Sequence, residues 1–146
     1  MRGIILLITV LVVSGVSAQD LPLSQVPTQV INTFNARFPA AITPTWQEIK
    51  PNYFQTKFEV NHVSHAAVLD GTGMLVMSKF KVLPANMPAA IKHTLDTGYK
   101  EYKIGDMEQL NNMGVILYQV ELLGKSPQQQ LLMTSDGRLA AAPIFR

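Results

Sequence analysis

His62 and His65 form an H-x-x-H pair, and a curled chain between them would let two imidazoles share a metal ion. Ser64, His65 and Asp70 follow one another closely and supply the residue types of a nucleophile, a base and an orienting carboxylate. Glu59 and Asp70 are two carboxylates of the kind used in general acid–base chemistry. Asp70-Gly71-Thr72-Gly73 and Asp136-Gly137 resemble the openings of phosphate or calcium loops. None of these completes a site. The histidine pair lacks the H-E-x-x-H helix, and no Cys, Asp or Glu stands between His65 and Asp70 to add a ligand. No nucleophile-elbow pattern surrounds Ser64. The Asp-Gly segments are too short for an EF-hand, and no helical pattern follows either, so they read as hairpin turns. His62 and His65 read as solvated loop residues, and His93 as an exposed residue on the polar side of a helix. No catalytic residue, metal ligand or cofactor site is assigned, and the chain is not expected to be an enzyme.

The elements that would carry these residues come as a pair of similar units. Val26-Pro27, Val30, Phe34 and Phe38 recur as Met87-Pro88, Ile91, Leu95 and Tyr99, each 61 positions later. Phe58-Glu59-Val60 recurs as Tyr118-Gln119-Val120, 60 later, and Asp70-Gly71 as Asp136-Gly137, 66 later. Matches in a fixed order mark a duplicated supersecondary unit. Each unit opens with an amphipathic helix. Val26, Val30, Ile31, Phe34 and Phe38 fall within about 140° on a helical wheel. Met87, Ile91, Leu95, Tyr99 and Tyr102 form the second stripe. Ser24 and Asn86 are the expected N-caps, with Pro27 and Pro88 in the first turns.

Alternating patterns then predict strands at 45–50, 53–60, 65–70 and 74–81, and again at 106–110, 115–123, 129–134 and 138–142. The expected fold is α+β: two tandem α-β4 repeats, about 21–82 and 83–142. Together they form an eight-stranded antiparallel sheet with both helices on one face.

The other sheet face would stay open. Phe54, Phe58 and Val60 share the apolar side of their strand, and Tyr53, Gln55, Lys57 and Glu59 share the opposite side. A two-residue turn at Pro51-Asn52 would set Lys50 across from Tyr53, Glu48 across from Gln55 and Trp46 across from Lys57. That register places Trp46, Glu48, Tyr53, Lys57 and Glu59 on the open face, joined by Met77, Leu117 and Gln119. A slip of one residue would invert the assignment. Trp46 is the only tryptophan. It would be an anchor for a partner, or sheet packing with Lys57 laid over its ring. Met74, Met77, Met107, Met113 and Met133 read as core filler.

The ends and the composition narrow the setting. Arg2, the apolar run Ile4 to Val13 and the small residues Val16-Ser17-Ala18 are the three parts of a signal peptide cleaved after Ala18. The run is short for a membrane span, which needs about 20 residues. Residues 19–146 then form one domain. There is no cysteine, hence no disulfide, thiolate metal site or acylated lipoprotein cysteine. Without Arg2, 11 basic residues face 10 acidic ones, scattered along the chain, which gives nucleic acid no electrostatic footprint.

On the helix Val26-Pro27 to Phe38, the strand Lys57-Phe58-Glu59-Val60, the Asp70-Gly71 hairpin and their second-unit counterparts, the chain resembles the PepSY-like family of small exported bacterial proteins. That family is similar in fold to the β-lactamase inhibitor proteins. The resemblance implies a tandem α-β4 domain, a periplasmic or secreted location, and binding or inhibition rather than turnover. Inhibitors of this architecture clasp their target with the open sheet and carry disulfides, which this chain lacks. The expected function is an exported, non-enzymatic binding module for a protein or peptide of the cell envelope. Trp46 and Tyr53 would be apolar anchors, with Lys57 and Glu59 setting orientation. Self-association through the open face or an edge strand is the alternative, and metal binding or hydrolysis a third.

Overall fold

Two prolines set where the helices begin. The residue before proline is pushed out of the helical region, and Val26 (φ −87°, ψ 130°) and Met87 (φ −63°, ψ 128°) are both extended. Helix α1 therefore spans Thr28–Arg37 and α2 spans Ala89–Gly98. Pro27 and Pro88 precede them as extended cap residues, without a side-chain capping bond. Ser24 and Asn86, expected as caps, lie instead in short 3-10 turns at Leu23–Gln25 and Pro84–Asn86. This arrangement comes from a computed structural model that describes residues 19–125 and 129–140. The expected signal segment, 1–18, lies outside the described residues.

Among the described residues, seven strands form one antiparallel sheet in which spatial order equals chain order. They are β1 Ile42–Lys50, β2 Tyr53–Val60, β3 Val63–Asp70, β4 Leu75–Lys81, β5 Lys103–Asn112, β6 Val115–Leu123 and β7 Gln129–Met133. Helix α2 interrupts the chain between β4 and β5, yet those strands pair directly from Met77↔Asn112 to Lys81↔Glu108. The expected eighth strand at 138–142 is, among the described residues, a single bridge between Met133 and Leu139. Residues 141 and 142 lie outside the described residues.

The register separates the faces. Phe58, His65, Phe80, Gln109, Tyr118 and Met133 are successive cross-strand partners from β2 to β7. This row lies on the helix-facing side, because Phe58 packs with Val30 and Phe34 of α1, and Met133 with Ile91 and Leu95 of α2. Each helix thus covers its own apolar cluster on one face.

Two hairpin glycines hold the helices close. At Gly73 (φ +89°) a Cβ would stand 2.7 Å from the Gln29 carbonyl oxygen of α1. At Gly137 (φ +82°) it would stand 2.5 Å from the Ala90 carbonyl oxygen of α2. The Thr94 hydroxyl donates to the Gly137 carbonyl at 2.8 Å. In the first of these hairpins Asp70 is the organiser. Its Oδ1 accepts from the Thr72 amide and hydroxyl and from the Met74 amide. These bonds, the Thr72 hydroxyl first among them, hold its carboxyl below the usual carboxylate range.

Candidate functional site

The Pro51-Asn52 turn pairs Lys50 with Tyr53 as expected, but the next pair inward is Glu48↔Phe54, with Ile49 left over as a bulge. The Glu48 carboxylate accepts the Asn52 amide at 2.9 Å, and Asn52 takes a left-handed backbone (φ +65°). The extra residue shifts β1 by one. Trp46 therefore faces Thr56 rather than Lys57, and moves from the open face to the core. It is 3% exposed, and its ring meets Phe34 of α1 edge-on at 5.2 Å. The placement of Trp46 on the open face is corrected accordingly. No Lys57–Trp46 stacking is possible across that barrier. The cation–π contact at this end is Lys50 Nζ, 4.2 Å from the Tyr53 ring centroid.

Glu48 leaves the open face with Trp46, since it pairs with Phe54, and its placement there is corrected too. Tyr53, Lys57 and Glu59 do lie on the uncovered side, by strand alternation against the buried Phe54, Thr56 and Phe58. Tyr53 is half-buried there; Lys57 and Glu59 are exposed. One cross-strand row on this face reads Thr45, Lys57, Ala66, Lys79, Leu110, Leu117. The row beside it reads Gln47, Gln55, Val68, Met77, Asn112, Val115. Ala66, Val68, Leu110 and Leu117 are buried but belong to neither helix-covered cluster. Their row neighbours Gln55, Met77, Lys79 and Asn112 have stems long enough to lie over such positions.

A hollow of about 440 Å³ opens on this face, with Thr45, Lys57, Glu59, Ser64, Lys79 and Glu108 in its lining. The lining includes both small residues and charged ones. A second hollow of about 210 Å³ is lined by Asp106, Glu108, Gln119, Glu121 and Gln130. The first hollow thus mixes Lys57 and Lys79 with Glu59 and Glu108, whereas the second has carboxylates and no lysine in its lining. Two ion pairs bridge β4 and β5: Lys79–Glu108 and Lys81–Asp106, each 2.9 Å. The Asp106 carboxylate raises the Lys81 amine above its ordinary range. Among the described residues no ion pair engages Lys57 or Glu59.

The candidate chemical residues come apart in three dimensions. His62 sits in the β2–β3 turn with a left-handed backbone (φ +63°). His65, expected to be solvated, is in β3 with its ring stacked between Phe58 at 5.4 Å and Phe80 at 5.3 Å. Burial lowers its pKa below the usual imidazole value. Ser64 points to the opposite face from His65, and Asp70 is committed to its own hairpin. Among the described residues no group of three or more His, Asp or Glu is arranged to hold a metal ion. The methionines divide: Met107 and Met133 are core, whereas Met74 and Met113 are exposed.

Lys79, Lys81, Asp106 and Glu108 were not picked out from sequence. A signal was there: Lys-x-Lys and Asp-x-Glu occupy consecutive strands with the two-residue spacing that puts each pair on one face.

No protein-family profile matches the chain, and no curated protein matches it. Crystal structures do. A BLIP-like (β-lactamase-inhibitor-like) protein from Bacteroides fragilis NCTC 9343 superposes with a TM-score of 0.70 at 16% identity, covering 83% of this chain and 85% of that one. A DUF2874 family protein from Bacteroides uniformis ATCC 8492 gives 0.71 at 18% identity, covering 79% and 86%. A candidate periplasmic protein from Bacteroides eggerthii DSM 20697 gives 0.69 at 16%, with the same coverage of 79% and 86%. At such identities the likeness establishes the fold: an α+β architecture of the BLIP-like kind, one antiparallel sheet with two helices. Among the described residues no helix is long and apolar enough to cross a membrane.

Proposed function

We propose that this chain is an exported, non-catalytic binding module whose uncovered sheet face receives a protein or peptide of the cell envelope. On this reading residues 1–18 are a signal peptide removed after Ala18, and the mature chain is a PepSY-like domain of two tandem α-β4 units acting in the periplasm or outside the cell. The observation that carries the reading is the uncovered face itself. It combines a buried apolar centre, a charged rim and a hollow that both lysines and carboxylates line, which is the anatomy of a recognition surface. Lys57 and Glu59, outside the ion-pair network, supply orientation at the rim, and Tyr53 supplies apolar area. Inhibition of the bound protein is one form this role takes, consistent with the BLIP-like likeness. The test is affinity capture from the envelope fraction of the source organism, comparing the native chain with Lys57→Glu, Lys79→Glu. A partner held by the native chain and lost by the variant supports the reading. Equal capture by both removes this face from it.

Self-association is the second reading, favoured by the apolar tip of the β5–β6 hairpin. Met113 is 69% and Val115 59% exposed there, beside Ile116. Sedimentation of the mature chain over a range of concentrations separates the two, since a dimer would form without any other protein.

A further inference from the structure

Ahead of α1, residues 20 and 21 are tied to the sheet. The Leu21 amide donates to the Trp46 carbonyl of β1 at 2.6 Å, and the Leu21 side chain packs against the first apolar cluster. Asp20 Oδ1 accepts from Gln47 Nε2 at 3.3 Å. Residues 20 and 21 therefore lie along the outer side of the edge strand β1, where an unpaired strand would otherwise offer its backbone to another chain. Gln19, just before them, is exposed and outside any regular element.

We propose that Gln19 is a modification site: once cleavage after Ala18 makes it the N-terminal residue, it closes to pyroglutamate. This rests on the cleavage proposed above. The neutral α-amino nitrogen of Gln19 attacks its own side-chain amide carbon Cδ. A new N–Cδ bond closes a five-membered lactam, the bond from Cδ to the side-chain nitrogen breaks, and that nitrogen leaves as ammonia with the proton given up by the amine. No oxidant or second reactant is needed. An α-amine has a pKa of about 7.7–8.0, so a useful fraction is nucleophilic near neutral pH. The reacting groups belong to one residue, which gives the step its proximity advantage. The exposed position leaves Gln19 free to form the ring, while Asp20 and Leu21 stay bonded to β1. The product removes a positive charge beside Asp20. It also leaves the arm over the edge strand without the free amine that aminopeptidases require.

The experiment is intact-mass measurement of the full chain after export by a bacterial host, with the protein held at neutral pH before analysis. The expected mass is that of residues 19–146 less one ammonia, with no labelling of the terminus by an amine-reactive reagent after digestion. Gln19→Ala should give an unmodified, labelled terminus. A chain that starts at Gln19 and keeps its ammonia overturns the cyclisation while sparing the cleavage. A chain with a different start overturns both, and the mass tells the two apart.

Discussion

Trp46 lies directly across the β1–β2 ladder from Thr56, and neither the indole Nε1 nor the hydroxyl Oγ1 of this buried pair has a hydrogen-bond partner among the described residues. The pair sits beneath α1, where Phe34 covers the indole. The tryptophan is therefore placed by shape and apolar area, and the two unpartnered polar atoms, its own Nε1 and the Thr56 Oγ1, are carried as a cost.

From this follow two changes of opposite sign. Trp46→Ala should lower stability by about 3–5 kcal/mol, the range for a buried large aromatic. Thr56→Val keeps the shape and removes an unpartnered hydroxyl, so stability should hold or rise by up to about 1 kcal/mol. Urea denaturation of both variants checks the pair. A near-neutral Trp46→Ala would return the residue to the open face.

The glycines offer a graded series. Gly73→Ala and Gly137→Ala combine a left-handed backbone with a collision against a helix carbonyl, and each should cost well over about 1 kcal/mol. Gly114 has the same backbone (φ +91°) but open space around it, so its alanine variant should lose only about 1 kcal/mol. Gly98 ends α2 with no obstacle near it and should gain about 0.5–1 kcal/mol as alanine. Thermal melts of the four variants give the order.

Acid should loosen the fold at His65 first. Burial holds its folded pKa below the ordinary 6.5, so the unfolded chain binds the proton more readily. Stability is complete above 6.5 and declines as pH falls below it. His65→Gln should remove that decline, measured as denaturation midpoints between about pH 7 and pH 5. A second decline belongs to Asp70 and Asp136, whose threonine hydroxyl bonds hold them below 3.8. Their contribution is present above 3.8, is lost only at lower pH, and should survive the His65 change.

The apolar periods of Val30, Phe34, Ile91 and Leu95 made both helices legible, because each stripe answers to one covered face. Strands β2 and β6 were legible for the same reason. Strand β1 was legible as a strand but not in its register, since the bulge at Ile49 depends on Glu48 reaching the Asn52 amide, a bond that no periodicity announces. That single residue moved Trp46 out of the candidate site while Tyr53, Lys57 and Glu59, on the regular strand β2, kept their face. The stacking of His65 between Phe58 and Phe80 was hidden too, because it requires the pairing of three strands at once. Ser24 and Asn86 pointed to earlier helix starts, but the extended residue before each proline decides where the helices begin.

The central claim is that the uncovered face, and not the helix side, meets the partner. The chain has no cysteine, so one reactive thiol can be placed at will. Lys57→Cys puts it on that face, and Asn32→Cys puts it at an exposed position on α1. Each variant is coupled to a bulky maleimide and used to capture the partner from the envelope fraction. Capture abolished by the label at 57 and unchanged by the label at 32 is the predicted result. Capture that survives at 57, or fails at 32 alone, would contradict it.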